Sequence, residues 1–364
     1  MSNAPQESVE SYHFTRAVVL PGTEPQDLWV AEGLVVDGPV AEAVTISDPC
    51  WVLPGLVDAH CHIGLGPDGA TDQETVRAQA EADLAVGVML IRDAGSPSDT
   101  RWVHDQSELP RLLRAGQHIA RPRRYIRHLA VEVEPETLVE QVRHEARSGD
   151  GWVKLVGDWI DRSVSDLASL WPAEVAQAAI AAAHEEGARV TAHCFAEESV
   201  SELVNAGIDC IEHGTGLTDD VIATMAARGT ALVPTMINLD NFPHYATAGA
   251  AKFPRYAAHM LDLHARRHET MGKAIEAGVQ VYSGTDAGTV VVHGRVIDEI
   301  DELAKLGGAE FALGAASWRA RQWLGVDVVT PGSSADFVVY SEDPCRDLST
   351  LRRPTLRILR GHAL

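Results

Sequence analysis

Through most of the chain one pattern recurs: an alanine-rich segment of helical character runs to a glycine, and a short apolar run starts at once. It is legible over residues 85–91, 149–155, 186–193, 206–213, 228–234 and 277–283. The glycine supplies the left-handed residue that closes a helix, and a bounded apolar run of this length reads as a buried strand. Helices alternating with buried strands predict a parallel sheet with crossover helices. An opening strand near Val57 joins these six, and an eighth, third in chain order, is expected near Tyr125-Ile126-Arg127. Together they predict an α/β fold of the (β/α)8 TIM-barrel type. An open doubly wound sheet would carry a glycine-rich phosphate turn that the chain lacks.

The two ends of the chain are patterned differently. Short β-type runs at 16–20 and 33–36 are separated by Pro21-Gly22 and Asp37-Gly38-Pro39, and runs at 335–340 and 356–361 lie between Pro331-Gly332 and Pro354 and beyond. These predict a small β-sandwich domain built from 1–53 plus 329–364, beside a catalytic barrel over 54–328.

Charge narrows the partners. With 52 acidic against 30 basic side chains the formal charge is −22, which opposes binding to nucleic acid or an anionic membrane. The one dense basic cluster, Arg121-Pro122-Arg123-Arg124, reads as a solvated loop. Five scattered cysteines without a Cys-x-x-Cys pair read as reduced thiols. Residues 1–10 carry no basic n-region, and no apolar run approaches the roughly 18 residues a bilayer span needs. A cytoplasmic protein acting on a small molecule is expected, with a homo-oligomer, a dimer first, as the prior.

Barrel geometry turns position into chemistry, because the C-terminal ends of the strands converge on one mouth. Those ends carry His60 and His62, Lys154, His193, His213 and Asp286. Such a set suits a divalent metal, Zn²⁺ first, which would lower the pKa of a bound water to about 7 and so provide a hydroxide nucleophile. Asp286 is the natural proton acceptor, or alternatively the N-cap of a following helix. For Lys154 two readings stand level: a CO2-derived carbamate bridging two metals, or an ammonium paired with Asp158 or Asp161.

The run Leu53-Pro54-Gly55-Leu56-Val57-Asp58-Ala59-His60-Cys61-His62 is followed by Val153-Lys154-Leu155, Thr191-Ala192-His193, Ile211-Glu212-His213-Gly214 and Gly284-Thr285-Asp286-Ala287-Gly288. In this order, and with the tail from Pro331 to Val339, the chain resembles the amidohydrolase superfamily, most closely its prolidase-like branch related to imidazolonepropionase. The resemblance implies a metal-dependent hydrolase acting on amide-type C–N bonds of a dipeptide, N-acyl amino acid or cyclic amide. It also implies a first metal on His60, His62 and Asp286, a second on His193 and His213, a carbamate on Lys154, two Zn²⁺ in all, and Asp286 as general base.

One departure matters. The dipeptidase branch carries His-Ala-Tyr where this chain has His193-Cys194-Phe195, so the hydroxyl held to polarise the scissile carbonyl is missing. His128, Tyr245 and His293 are candidate substitutes on loops. A deaminase would place an acid three residues after His193, where Ala196 stands with Glu197 one further on. A lactone or ester hydrolase would use the same ligands, and a non-catalytic scaffold would have lost them. Trp152, Trp159 and Trp171 read as core or dimer packing in preference to a substrate cage. The histidines at 244–268 read as a helix face or a lid, and Arg92 and Asp93 as a structural ion pair or as support behind the site rather than as catalytic groups.

Overall fold

The computed structural model describes residues 10–364. Of the expectation for 1–10, only Glu10 therefore falls among the described residues. The glycine-closed repeats fold as helix followed by strand. At Gly187 and Gly229 φ is 78° and 74°, and an added Cβ would meet nothing within 4 Å. Glycine is required there by the left-handed backbone rather than by crowding.

The middle of the chain is an α/β arrangement of parallel strands. Leu56–Cys61, Val88–Asp93 and Arg111–Arg114 pair in that order. A second run joins His118–Ala120, Trp152–Val156, Arg189–Cys194, Cys210–His213 and Ala231–Val233. The third strand is therefore not at Tyr125-Ile126-Arg127, which lies in the turn before Ala130–Glu132. Its place is held by Arg111–Arg114 and His118–Ala120, two short pieces separated at Gly116, φ 70°. The run at 277–283 is not a regular strand either. Val281 makes a single bridge to Leu232, Tyr282 N–H donates to Leu232 O at 3.0 Å, and Ala59 N–H donates to Ser283 O at 2.9 Å. The segment thus touches both Ala231–Val233 and the first strand.

Both faces of these strands are buried. Val57, Ala59, Leu90, Trp152, Ala231 and Val233 belong to one cluster. Leu56, Val153, Leu155, Val190, Ile211 and Leu232 belong to another that includes the helix residues Ile180, Leu203 and Met225. From Leu56 to Val57 and along Ala231–Val233 the clusters alternate residue by residue, as period-2 strands covered on both sides require.

The two ends of the chain meet in one eight-stranded sheet. Tyr12–Val19 pairs with Pro25–Ala31, Val44–Ile46 and Trp51–Pro54, and Trp51–Pro54 pairs antiparallel with Phe337–Tyr340. Phe14, Val30, Val52, Phe337 and Ile358 form its buried cluster. Trp51–Pro54 runs through Gly55 directly into Leu56–Cys61, so this sheet anchors the strand that presents His60 and His62. Among the described residues no helix is long and apolar enough to cross a membrane.

Candidate metal centre

The first strand ends in two imidazoles whose outer nitrogens are fixed. His60 Nδ1 lies 2.7 Å from Glu212 Oε2, and His62 Nδ1 lies 2.8 Å from Gly95 O. A carbonyl only accepts, so His62 Nδ1 carries the proton and Nε2 of the neutral ring presents a lone pair. Burial holds the His62 pKa below its ordinary value and so favours that neutral ring. Asp286 Oδ1 stands 3.0 Å from His62 Nε2 and 3.1 Å from His60 Nε2, and the two Nε2 atoms are 3.3 Å apart. For His60, burial and Lys154 lower the pKa, Glu212 and Asp286 raise it, and the net direction is up. One proton on His60 satisfies one of the contacts to Asp286. The other remains acceptor against acceptor, an arrangement that a cation resolves.

The ligand atoms of His60, His62 and Asp286 all lie within 4.8 Å of one another. Beside them, the rings of His60 and His213 are 5.1 Å apart and those of His213 and His193 are 4.8 Å apart. His213 Nδ1 is held by Thr235 Oγ1 at 2.7 Å. His193 Nε2 is buried with no hydrogen-bond partner, and its nearest carboxylate oxygen, Asp158 Oδ1 at 3.9 Å, is also unpartnered. An orphaned imidazole nitrogen and an acceptor-only corner on one mouth fit a metal site by donor chemistry.

Lys154 is buried in register with Thr191 of the neighbouring strand. Burial lowers its pKa, which moves the amine toward the neutral form that carbamylation needs. The alternative pairing with Asp158 or Asp161 is not formed. Asp158 accepts from the Phe195 and Ala196 N–H groups at 2.8 and 2.9 Å and from the Ser199 hydroxyl, while Asp161 pairs with Arg124 at 2.6 Å.

Several supporting residues escaped the reading of the sequence. Glu212, next to His213, accepts from Arg92 Nη2 at 2.6 Å and from the Thr191 hydroxyl while holding His60. Burial raises its pKa, but Arg92 and then His60 outweigh that and hold it well below the carboxylate range. Arg92 therefore pairs with Glu212 and not with Asp93, because adjacent strand residues face opposite sides. Asn238 Nδ2 donates to Asp286 Oδ2 at 2.6 Å, and Tyr245 OH lies 3.1 Å from Asn238 Oδ1. No local motif announced Asn238, since its role depends on a contact 48 residues away.

A cavity of about 430 Å³ opens above the centre, with His62, His193 and Asp286 among its lining residues. Tyr245 is also part of the lining. His128 is exposed, and His293 is held by Asp83 at 2.8 Å; neither lines the cavity. The region at 244–268 forms parts of the helices Phe242–Gly249 and Pro254–Glu276, which supply Tyr245 and Tyr256 to the wall, while the turn between them supplies Lys252 and Phe253. Glu197 does not reach His193. It bonds His259 Nε2 at 3.0 Å and Arg266, and Asp166 takes His259 Nδ1 at 3.0 Å.

That clamp gives a pH-dependent prediction. Hydrogen bonding to Glu197 is the largest cause raising the His259 pKa, to about 9. Its unfolded value is near 6.5. A raised folded pKa means that the stabilisation is complete below the unfolded value and is lost as pH rises through about 9. After discounting for solvent screening, His259→Gln should cost about 1 kcal/mol at pH 6 and little at pH 10, read by urea unfolding at both.

Over residues 51–358 the chain matches the model of the amidohydrolase family. It is 54% identical over 348 residues to uncharacterized proteins of Mycobacterium tuberculosis and Mycobacterium bovis, covering 95% of this chain and 94% of each relative. Among solved structures it is similar to a Xaa-Pro dipeptidase with bound methionine in the active site, at 20% identity and a TM-score of 0.82 over 98% of this chain and 100% of that one. It is also similar to ochratoxinase of A. niger, at 18% identity and a TM-score of 0.78 over 98% and 96%. At these identities the structural likeness carries the fold, which is TIM-barrel-like.

Proposed function

The chain belongs to the amidohydrolase family, and from that premise we propose that this hydrolase is metal-dependent and opens an amide-type C–N bond of a small molecule: a dipeptide, an N-acyl amino acid or a cyclic amide. The observation that carries the reading is the corner where His62 Nε2 and Asp286 Oδ1 face each other at 3.0 Å with no proton to share between them when the ring is neutral. His60, His62 and Asp286 would hold one divalent metal, zinc by donor type, and His193 and His213 a second, with Lys154 as a carbamate between them. When bound, such metals supply Lewis acidity and make water nucleophilic near neutral pH.

The chain's own residues do the rest. Asp286 Oδ1 faces the site while Asn238 Nδ2 holds Oδ2, so one oxygen is fixed and the other is placed to accept a proton and return it to the leaving nitrogen. Glu212 and Gly95 O hold the two imidazoles in orientation. The contacts of 280–283 to its neighbours on both sides support a closed (β/α)8 barrel over 54–328, with 1–53 and 329–364 as the small β domain.

Zinc-loaded protein prepared in bicarbonate is expected to contain two metals per chain and to release amine from dipeptides, N-acyl amino acids or cyclic amides. Chelation is expected to abolish that release. One metal per chain would count against the Lys154 carbamate, and turnover restricted to lactones would overturn the C–N assignment.

A further inference from the structure

The cavity above the centre has a sharply divided lining. Its walls are aromatic and aliphatic: Tyr125, Trp159, Phe195, Tyr245, Phe253 and Tyr256 all face it. Tyr125 and Trp159 pack edge to face with centroids 4.8 Å apart, and Phe195 is backed by Phe242 at 4.7 Å. These are mutually supported rings, with the specific geometry that fixes a pocket's shape.

Apart from the tyrosine hydroxyls, charged and titratable groups in the lining are confined to two places. His62, His193 and Asp286 belong to the candidate centre, and Lys252 is the one ammonium in the lining. Among the described residues no carboxylate lies within ion-pair distance of Lys252; its Nζ sits 5.3 Å from the centroid of the Phe253 ring. Lys252 is exposed at the edge of this apolar cavity, in a chain of net charge −22, and its unpaired ammonium there offers a solvent-screened counter-charge to an anion.

The lining also lacks a partner for a substrate ammonium. Asp286 is its sole carboxylate; Asn238 holds its Oδ2, and its Oδ1 lies against His60 and His62 in the corner proposed to hold a metal. A free α-ammonium carried into these walls would be desolvated without a counter-charge, which is costly.

Resting on the C–N hydrolase reading, the geometry points to an N-acylated amino acid with a bulky apolar or aryl acyl group as the substrate, its free carboxylate paired with Lys252 and its nitrogen end uncharged. Hydrolysis breaks the acyl C–N bond, adds the hydroxyl of water to the acyl carbon and a proton to the nitrogen, and yields an aryl or alkyl carboxylic acid and a free amino acid. Zwitterionic dipeptides are the class that these walls reject.

Three compounds isolate the two features: N-phenylacetyl-leucine, phenylalanyl-leucine, which adds the α-ammonium, and N-phenylacetyl-leucinamide, which removes the carboxylate. Binding measured calorimetrically on the zinc-free protein needs no turnover. N-phenylacetyl-leucine is expected to bind about a hundredfold more tightly than the dipeptide, for the unpaired ammonium. It should bind about fivefold more tightly than the leucinamide, and Lys252→Met should collapse that second ratio toward one. Equal or tighter binding of the dipeptide, or a carboxylate preference that survives Lys252→Met, overturns the inference. Kinetics on the zinc-loaded protein tests the reading beneath it. The predicted binding order without hydrolysis of any of the three would sink the hydrolase assignment and with it the term substrate, while the ligand class would stand.

Discussion

Asp286→Asn is expected to lower kcat by about 10²- to 10⁴-fold, the range for removing a general base, with a much smaller change in KM. Folding should survive the change. Asp286 sits at φ 59°, a left-handed conformation that asparagine tolerates as readily as aspartate. The amide matches the carboxylate in shape and can still face Asn238, but it cannot accept and return the proton. Metal analysis must accompany the kinetics, because Oδ1 lies 3.0 and 3.1 Å from the two imidazole nitrogens and belongs to the proposed ligand set as well. Metal retained with turnover lost assigns the proton step to Asp286. Activity retained at wild-type level would remove Asp286 from that role.

How much of this was legible in the sequence depends on whether the signal is local. The histidines at strand ends were legible because an apolar run ending in His-Cys-His is a strand pattern that stops at a mouth, and the glycine-closed repeats were legible because a positive φ selects glycine wherever it occurs. The third strand was misplaced because its two pieces are three and four residues long, carry arginines at 111 and 114 and are broken at Gly116. The β-branched and aromatic residues of Tyr125-Ile126-Arg127 gave a stronger strand signal than the strand itself. The tyrosine is used as wall material over the centre instead. Asn238 and the cavity walls were illegible for a different reason. Asn238 and Tyr245 belong to helices that follow Ala231–Val233, Tyr125, Trp159 and Phe195 come from earlier segments, and only the folded path brings them together beside Asp286.

The second large effect is structural. Arg92 is fully buried, donates from Nε to Ala59 O at 2.7 Å and from Nη2 to Glu212 at 2.6 Å, and lies 4.6 Å above the Trp152 ring. Replacing it with methionine keeps most of the volume and removes the charge. Glu212 would then be a buried carboxylate with His60, the Thr191 hydroxyl and the field of Lys154 left to offset it. Breaking a buried pair by removing one partner costs about 3–5 kcal/mol, a large share of the roughly 5–15 kcal/mol that stabilises a folded protein. Arg92→Met should therefore lower the urea midpoint strongly at pH 7. Adding Glu212→Gln should restore part of the loss, because the uncompensated charge is then gone. The pH dependence carries the sign. With Arg92 present, the Glu212 pKa is held well below its ordinary value, so its stabilisation persists at pH 5. Without Arg92, burial raises that pKa, the carboxylate takes up a proton as pH falls, and the deficit of the variant should be smaller at pH 5 than at pH 7. A deficit that is the same at both pH values, or a double variant no more stable than Arg92→Met alone, would show that lost packing on Trp152, and not the stranded charge, sets the cost.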